Sequence, residues 1–134
     1  MAINSLNKTA VGAERQSCNF AVSSRKIVAE GIDVQAKEFL LGPGEEVPWH
    51  HHSFVFDVFY CLEGTLVVES ADVYSGAPNA PVELQIGQSL KLIPGTAHRP
   101  HNPSAMQPCK FLLIQGVGEY DFNRWEISAA PGQK

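Results

Sequence analysis

The sequence has no concentration of positive charge, no long apolar run and no even set of cysteines, and each absence removes a class of function. Ten lysines and arginines are scattered among fourteen acids, for a net charge of −4. A nucleic-acid site or an anionic membrane surface needs a basic patch, so neither partner is expected. No apolar stretch approaches the roughly 20 residues needed to cross a bilayer as a helix. The opening MAINSLNKTA lacks the charged-then-apolar order of a secretory signal. Cys18, Cys61 and Cys109 are odd in number and show no CxxC spacing. That argues against a disulfide framework or a zinc finger and for free thiols in a reducing compartment, so a cytoplasmic location is expected. Helical patterning, internal repeats and low-complexity tracts are missing as well.

What the chain does have is punctuation. Gly31, Gly42-Pro43-Gly44, Gly64, Gly76-Ala77-Pro78, Gly87, Pro94-Gly95, Asn102-Pro103 and Gly116 to Gly118 break it at short, regular intervals. Between them lie short runs rich in β-branched and aromatic residues: Lys37 to Leu41, Val55 to Leu62, Thr65 to Glu69, Leu90 to Ile93 and Lys110 to Gln115. Many short strands separated by turns predict an all-β sandwich or barrel. With 134 residues, of which 44% are apolar, the chain has the size and composition of one folded domain. The weakly patterned first twenty residues read as a loose arm or an edge strand that pairs with another subunit.

The five histidines fall into two groups, His50 to His52 and His98 with His101. On a strand, side chains alternate faces, so His50 and His52 share one face and His51 takes the other. Asp57 can re-enter the same space after a bend over Ser53 to Phe56, and His98 can come from a neighbouring strand. Three neutral imidazoles and a carboxylate suit a divalent transition metal, namely Fe, Mn, Ni, Zn or Cu. His51 and His101 are expected to point away from such a site.

Two stretches carry a resemblance. Gly44-EEVPW-His50-His51-His52-SFVF-Asp57-VFYCLE-Gly64 follows the pattern G(X)5HXH(X)3–4E(X)6G, with Asp57 where Glu is usual. Gly87-QSLKL-Ile93-Pro94-Gly95-TA-His98-RPH-Asn102 follows G(X)5PXG(X)2H(X)3N, with Ile93 in place of the first proline. In order and spacing these resemble the two motifs of the cupin superfamily. The resemblance implies a double-stranded β-helix of jelly-roll type. It also implies a barrel core of about residues 37–115 within a single domain, with the arm 1–20 and the tail 116–134 peripheral. It further implies metal ligation by His50, His52, Asp57 and His98, and assembly as a homodimer. Aspartate is one methylene shorter than glutamate, so Asp57 either reaches the metal or hydrogen-bonds a water held by it.

Phe54, Phe56, Phe59, Met106, Phe111 and Leu113 are the apolar candidates to surround the metal, with Phe54, Phe59, Phe111 and Leu113 foremost. Parity from Asp57 turns Phe59 and Cys61 inward, and Val58 and Tyr60 outward. No Arg or Lys cluster is evident for the interior, which argues against sugar-phosphate substrates and for a small apolar or aromatic molecule. The segment Gly116 to Ile127 suggests a cover for a barrel end or a dimer surface, without a chemical role. Two functions follow: a metal-dependent enzyme of dioxygenase, isomerase or lyase type, or a non-catalytic barrel that binds or senses a small ligand around a structural metal.

Overall fold

Strand alternation governs the architecture from the first described element onward. The computed structural model of the chain describes residues 22–126. The expected N-terminal arm and Cys18 lie outside the described residues. Ten strands follow in order: β1 (Ser24–Glu30), β2 (Val34–Leu41), β3 (His50–His51), β4 (Phe56–Glu63), β5 (Leu66–Asp72), β6 (Val82–Leu84), β7 (Ser89–Leu92), β8 (Thr96–His101), β9 (Cys109–Gly116) and β10 (Asn123–Arg124). No helix occurs among the described residues, so none is long and apolar enough to cross a membrane.

The strands form two five-stranded sheets, β1-β2-β9-β4-β7 and β10-β3-β8-β5-β6, with every pairing antiparallel. The fold is a double-stranded β-helix. Its core is built by period two. Phe39 and Leu41 on β2, Phe59 and Cys61 on β4, Leu66 and Val68 on β5, and Cys109, Phe111 and Leu113 on β9 are all buried, with polar or half-buried residues between them. Phe39 pairs with Phe111 in register, and their rings stack with centroids 5.1 Å apart. Burial of each such ring contributes about 1.5–3 kcal/mol, so these central pairs fix the β2–β9 register. That register in turn places Lys37 opposite Leu113 and Gln35 opposite Gln115.

Two turns position the ends of the site strands. Gly42-Pro43-Gly44-Glu45 is closed by a 3.1 Å bond from the Glu45 N–H to the Gly42 carbonyl, with Gly44 at φ 73°. Proline followed by a positive-φ glycine is the signature of a type II turn. Asn102, after β8, is buried and ties three segments together. Its Nδ2 donates to the carbonyls of Leu41, Gly42 and Gln107 at 3.2, 3.1 and 2.7 Å, and its Oδ1 accepts from the Ser104 N–H at 3.0 Å. Asn102→Ala removes the buried amide that these groups share and leaves the Leu41 carbonyl without it in a buried place. A loss of about 2–3 kcal/mol is expected, to be read as a lowered urea midpoint with an unchanged slope.

Candidate metal centre

His50 lies on β3 directly opposite His98 on β8, so one sheet supplies two rings from paired positions. His52 follows on the same face of the chain. Asp57 comes from β4 in the other sheet, on the inward parity it shares with Phe59 and Cys61. The four side chains are buried, and one ligand atom from each lies within 4.8 Å of all the others.

The far side of each ring is held by the backbone. Nδ1 of His50, His52 and His98 lies 2.7, 2.6 and 2.8 Å from the carbonyl oxygens of Pro48, Asp121 and Thr96. A carbonyl only accepts, so in each ring Nδ1 carries the proton and Nε2 presents a lone pair. Asp57 is oriented in a similar way: its Oδ1 accepts from Gln115 Nε2 at 3.0 Å. Its Oδ2 faces the rings, 2.8 Å from His98 Nε2 and 3.3 Å from His52 Nε2. Asp57 Oδ2, His98 Nε2 and Gln115 Oε1 are buried without a hydrogen bond. With Nδ1 turned to the Thr96 carbonyl, His98 Nε2 and Asp57 Oδ2 stand 2.8 Å apart, each without a hydrogen-bond partner. A cation between the donors resolves that arrangement, and the nitrogen and oxygen set suits a divalent transition metal.

Electrostatics favour the electron-pair donor form at His50 and Asp57, and oppose it at His52. Burial, aided by the neighbouring His98 and His52, holds His50 well below the ordinary histidine range, so its ring is neutral. Burial works to raise the Asp57 carboxyl, but the His52 and His98 rings beside it more than offset this and hold it well below the usual range. Burial likewise works to lower His52, and here the Asp57 charge wins and raises it. A proton on His52 therefore competes with a metal for the same lone pair.

Beside these donors lies a small recess of about 20 Å³, lined by Phe39, Phe59, Phe111, Leu113, Tyr120 and Phe122 together with Lys37 and Gln115. Phe59, Phe111 and Leu113 line the recess. Phe54, named with them as a candidate, does not. It is 60% exposed and lies outside the recess, because residues alternating with Asp57 turn outward and Val55, not Phe54, is the buried neighbour. Phe56 shares that outward parity and lies under the Lys91 ammonium, 4.7 Å from its ring centroid. Met106 is also exposed. His51 and His101 lie outside the group.

Three features escape a reading of the histidine motifs. Lys37 is buried on the inward face of β2, a position legible from its parity with Phe39 and Leu41. Gln115 shares the inward parity of Cys109, Phe111 and Leu113. The segment before β10 reaches the site itself: Phe122 stacks on His50 with centroids 4.4 Å apart, Tyr120 lies 5.4 Å from His52, and the Asp121 carbonyl fixes His52. β10 then pairs with β3 and closes that edge of the sheet.

The Cupin_2 family model, described as "Cupin domain", matches residues 37–115. None of the curated proteins matches the chain in sequence. Among solved structures, a conserved double-stranded β-helix protein of Klebsiella pneumoniae superposes with a TM-score of 0.66 at 19% identity, over 84% of this chain and 93% of its own. A cupin-2 domain protein of Shewanella frigidimarina is 26% identical, with a TM-score of 0.53, over 80% of this chain and 92% of its own. An oxalate oxidase solved with the substrate analogue glycolate superposes at 0.60 with 16% identity, over 68% of this chain and 45% of its own, a likeness of fold alone. With the motif spacing, the two-sheet barrel and the family match over more than half its length, this chain belongs to the cupin family.

Proposed function

We propose that the chain is a metal-dependent enzyme in which His50, His52, Asp57 and His98 hold one divalent transition ion, Fe, Mn, Ni, Zn or Cu, against a small organic substrate. The observation that carries this reading is the convergence of three Nε2 lone pairs and Asp57 Oδ2, each aimed by a hydrogen bond on its far side. The orientation of Asp57, with Oδ1 on Gln115 and Oδ2 toward the rings, favours direct ligation over a water-mediated role. A bound ion supplies Lewis acidity or oxygen activation. The chain's own part is to keep the rings in one tautomer and to exclude bulk water with Phe59, Phe111, Leu113 and Phe122. Enzyme is preferred to binding module because His50, His52 and Asp57 line the recess and, among the described residues, no fifth His, Cys, Asp or Glu joins the group.

Protein purified without added metal is expected to carry about one transition ion per chain by elemental analysis. Stripping it with a chelator is expected to lower Tm, and restoring the ion to recover it, since an ion present at 100 times its Kd stabilises the fold by about 2.7 kcal/mol. Chelator-resistant protein with no metal would reject the reading. Metal-loaded protein that binds small molecules but turns none over, with or without oxygen, would favour the non-catalytic barrel.

A further inference from the structure

The recess beside the metal group has a volume of about 20 Å³, room for about one water molecule. Sites for organic ligands run to about 300–1,000 Å³, so nothing the size of a substrate fits while the wall stands as it does. Most of that wall is fixed. Lys37 and Phe39 lie on β2, Phe59 on β4, and Phe111, Leu113 and Gln115 on β9, all buried and all in register with a neighbouring strand. Moving any of them means breaking the sheet. Tyr120 and Phe122 are placed differently. They belong to residues 117–122, which run between β9 and β10 outside both sheets, and both are half-buried. Phe122 stacks on His50 with centroids 4.4 Å apart and stands 6.2 Å from His52, and Tyr120 lies 5.4 Å from His52. These two side chains therefore cover two of the ligand rings from the one stretch of the wall that can move without unpairing a strand.

We propose that residues 117–122 form a strap that swings aside to admit the substrate, with Phe122 setting the size of molecule that reaches the metal. Hinges are a few residues at loop or element ends that absorb the backbone change, and both ends of the strap meet that description. At one end Gly118 has φ 133°, a conformation open to glycine, and its N–H donates to the Asp33 carbonyl at 3.2 Å. At the other, β10 pairs with β3 over two residues, Asn123 and Arg124. In the closed form the strap carries a latch near the surface: the Ser53 N–H donates to Asp121 Oδ1 at 2.8 Å. The Asp121 carbonyl meanwhile receives His52 Nδ1, so the closed strap also orients a ligand ring. The inference rests on the metal reading above and adds how its substrate enters.

The test uses the Co(II)-loaded full chain, with metal content measured on every sample, and imidazole as the probe. Its association with the metal is read from the visible cobalt spectrum by stopped flow. F122A is expected to bind imidazole at least about tenfold faster than wild type, because the ring over His50 is gone. D121A keeps the backbone carbonyl on His52 and loses the latch. Its association should quicken about threefold to tenfold, the usual worth of one partly exposed hydrogen bond. D121N has the same charge as D121A but retains an acceptor for the Ser53 N–H, and should stay within about twofold of wild type. Wild type as fast as F122A, or D121A as slow as D121N, with full metal in each, would overturn the proposal. If F122A does not fold, the D121A and D121N pair decides. Failure of every loaded protein to bind imidazole also overturns it. Wild-type protein that takes up no cobalt would instead sink the metal reading, an outcome told apart by the metal analysis.

Discussion

Single replacement of His50, His52 or His98 by alanine is expected to strip the protein of nearly all its bound metal, with affinity falling by more than about 100-fold at each position. Loss of an outer-shell partner typically costs about 10–100-fold, and each of these changes removes a ligand atom itself. Asp57→Ala is expected to cost as much as a histidine, because Oδ2 is the oxygen turned toward the rings while Oδ1 is held by Gln115. His51→Ala is the control. Its ring lies on the other face of β3, outside the ligand group, and metal content should stay at the wild-type level. Gln115→Leu should show the intermediate loss of an outer-shell change. Elemental analysis after dialysis reads the series, and circular dichroism checks that each variant keeps its strands. If His51→Ala released the metal and His50→Ala kept it, the assignment of faces on β3 would be wrong and the ligand set with it.

The second large effect concerns the fold. Gly64→Ala is expected to destabilise the protein by about 3–5 kcal/mol, whereas Gly44→Ala should cost only about 1–2 kcal/mol. Both glycines have positive φ, 69° and 73°, and an L-residue there carries a backbone penalty of about 1–2 kcal/mol. They differ in what a methyl group meets. At Gly44 there is nothing within 4 Å. At Gly64, between β4 and β5, a Cβ would stand 2.4 Å from the Pro108 carbonyl oxygen and 3.3 Å from the Cys109 Cα. Both are backbone atoms at the start of β9, so relief requires moving a strand paired to both β2 and β4. Urea unfolding of the two variants side by side separates conformational strain from the collision. Equal midpoints would show that β9 gives way easily and that the close approach is not structural.

The sequence by itself determined the strand content, the all-β class and which residues of each strand face inward. It also determined the pairing of His50 with His52 on one face, because alternation is a property of neighbouring residues and needs no knowledge of the fold. The same rule, carried through fully, reaches Lys37 from Phe39 and turns Phe54 outward from Asp57. Both were hidden by attention to residue type: a lysine reads as surface and a phenylalanine as core. Tertiary structure alone decided which strands lie side by side. His98 meets His50 because β8 pairs with β3, and Asp57 meets both because β4 crosses from the opposite sheet. Tyr120, Asp121 and Phe122 enter the site because β10, which follows them, pairs with β3. Such contacts join residues tens of positions apart, and they are selected by the summed burial and backbone pairing of the whole barrel, a quantity that no local periodicity encodes.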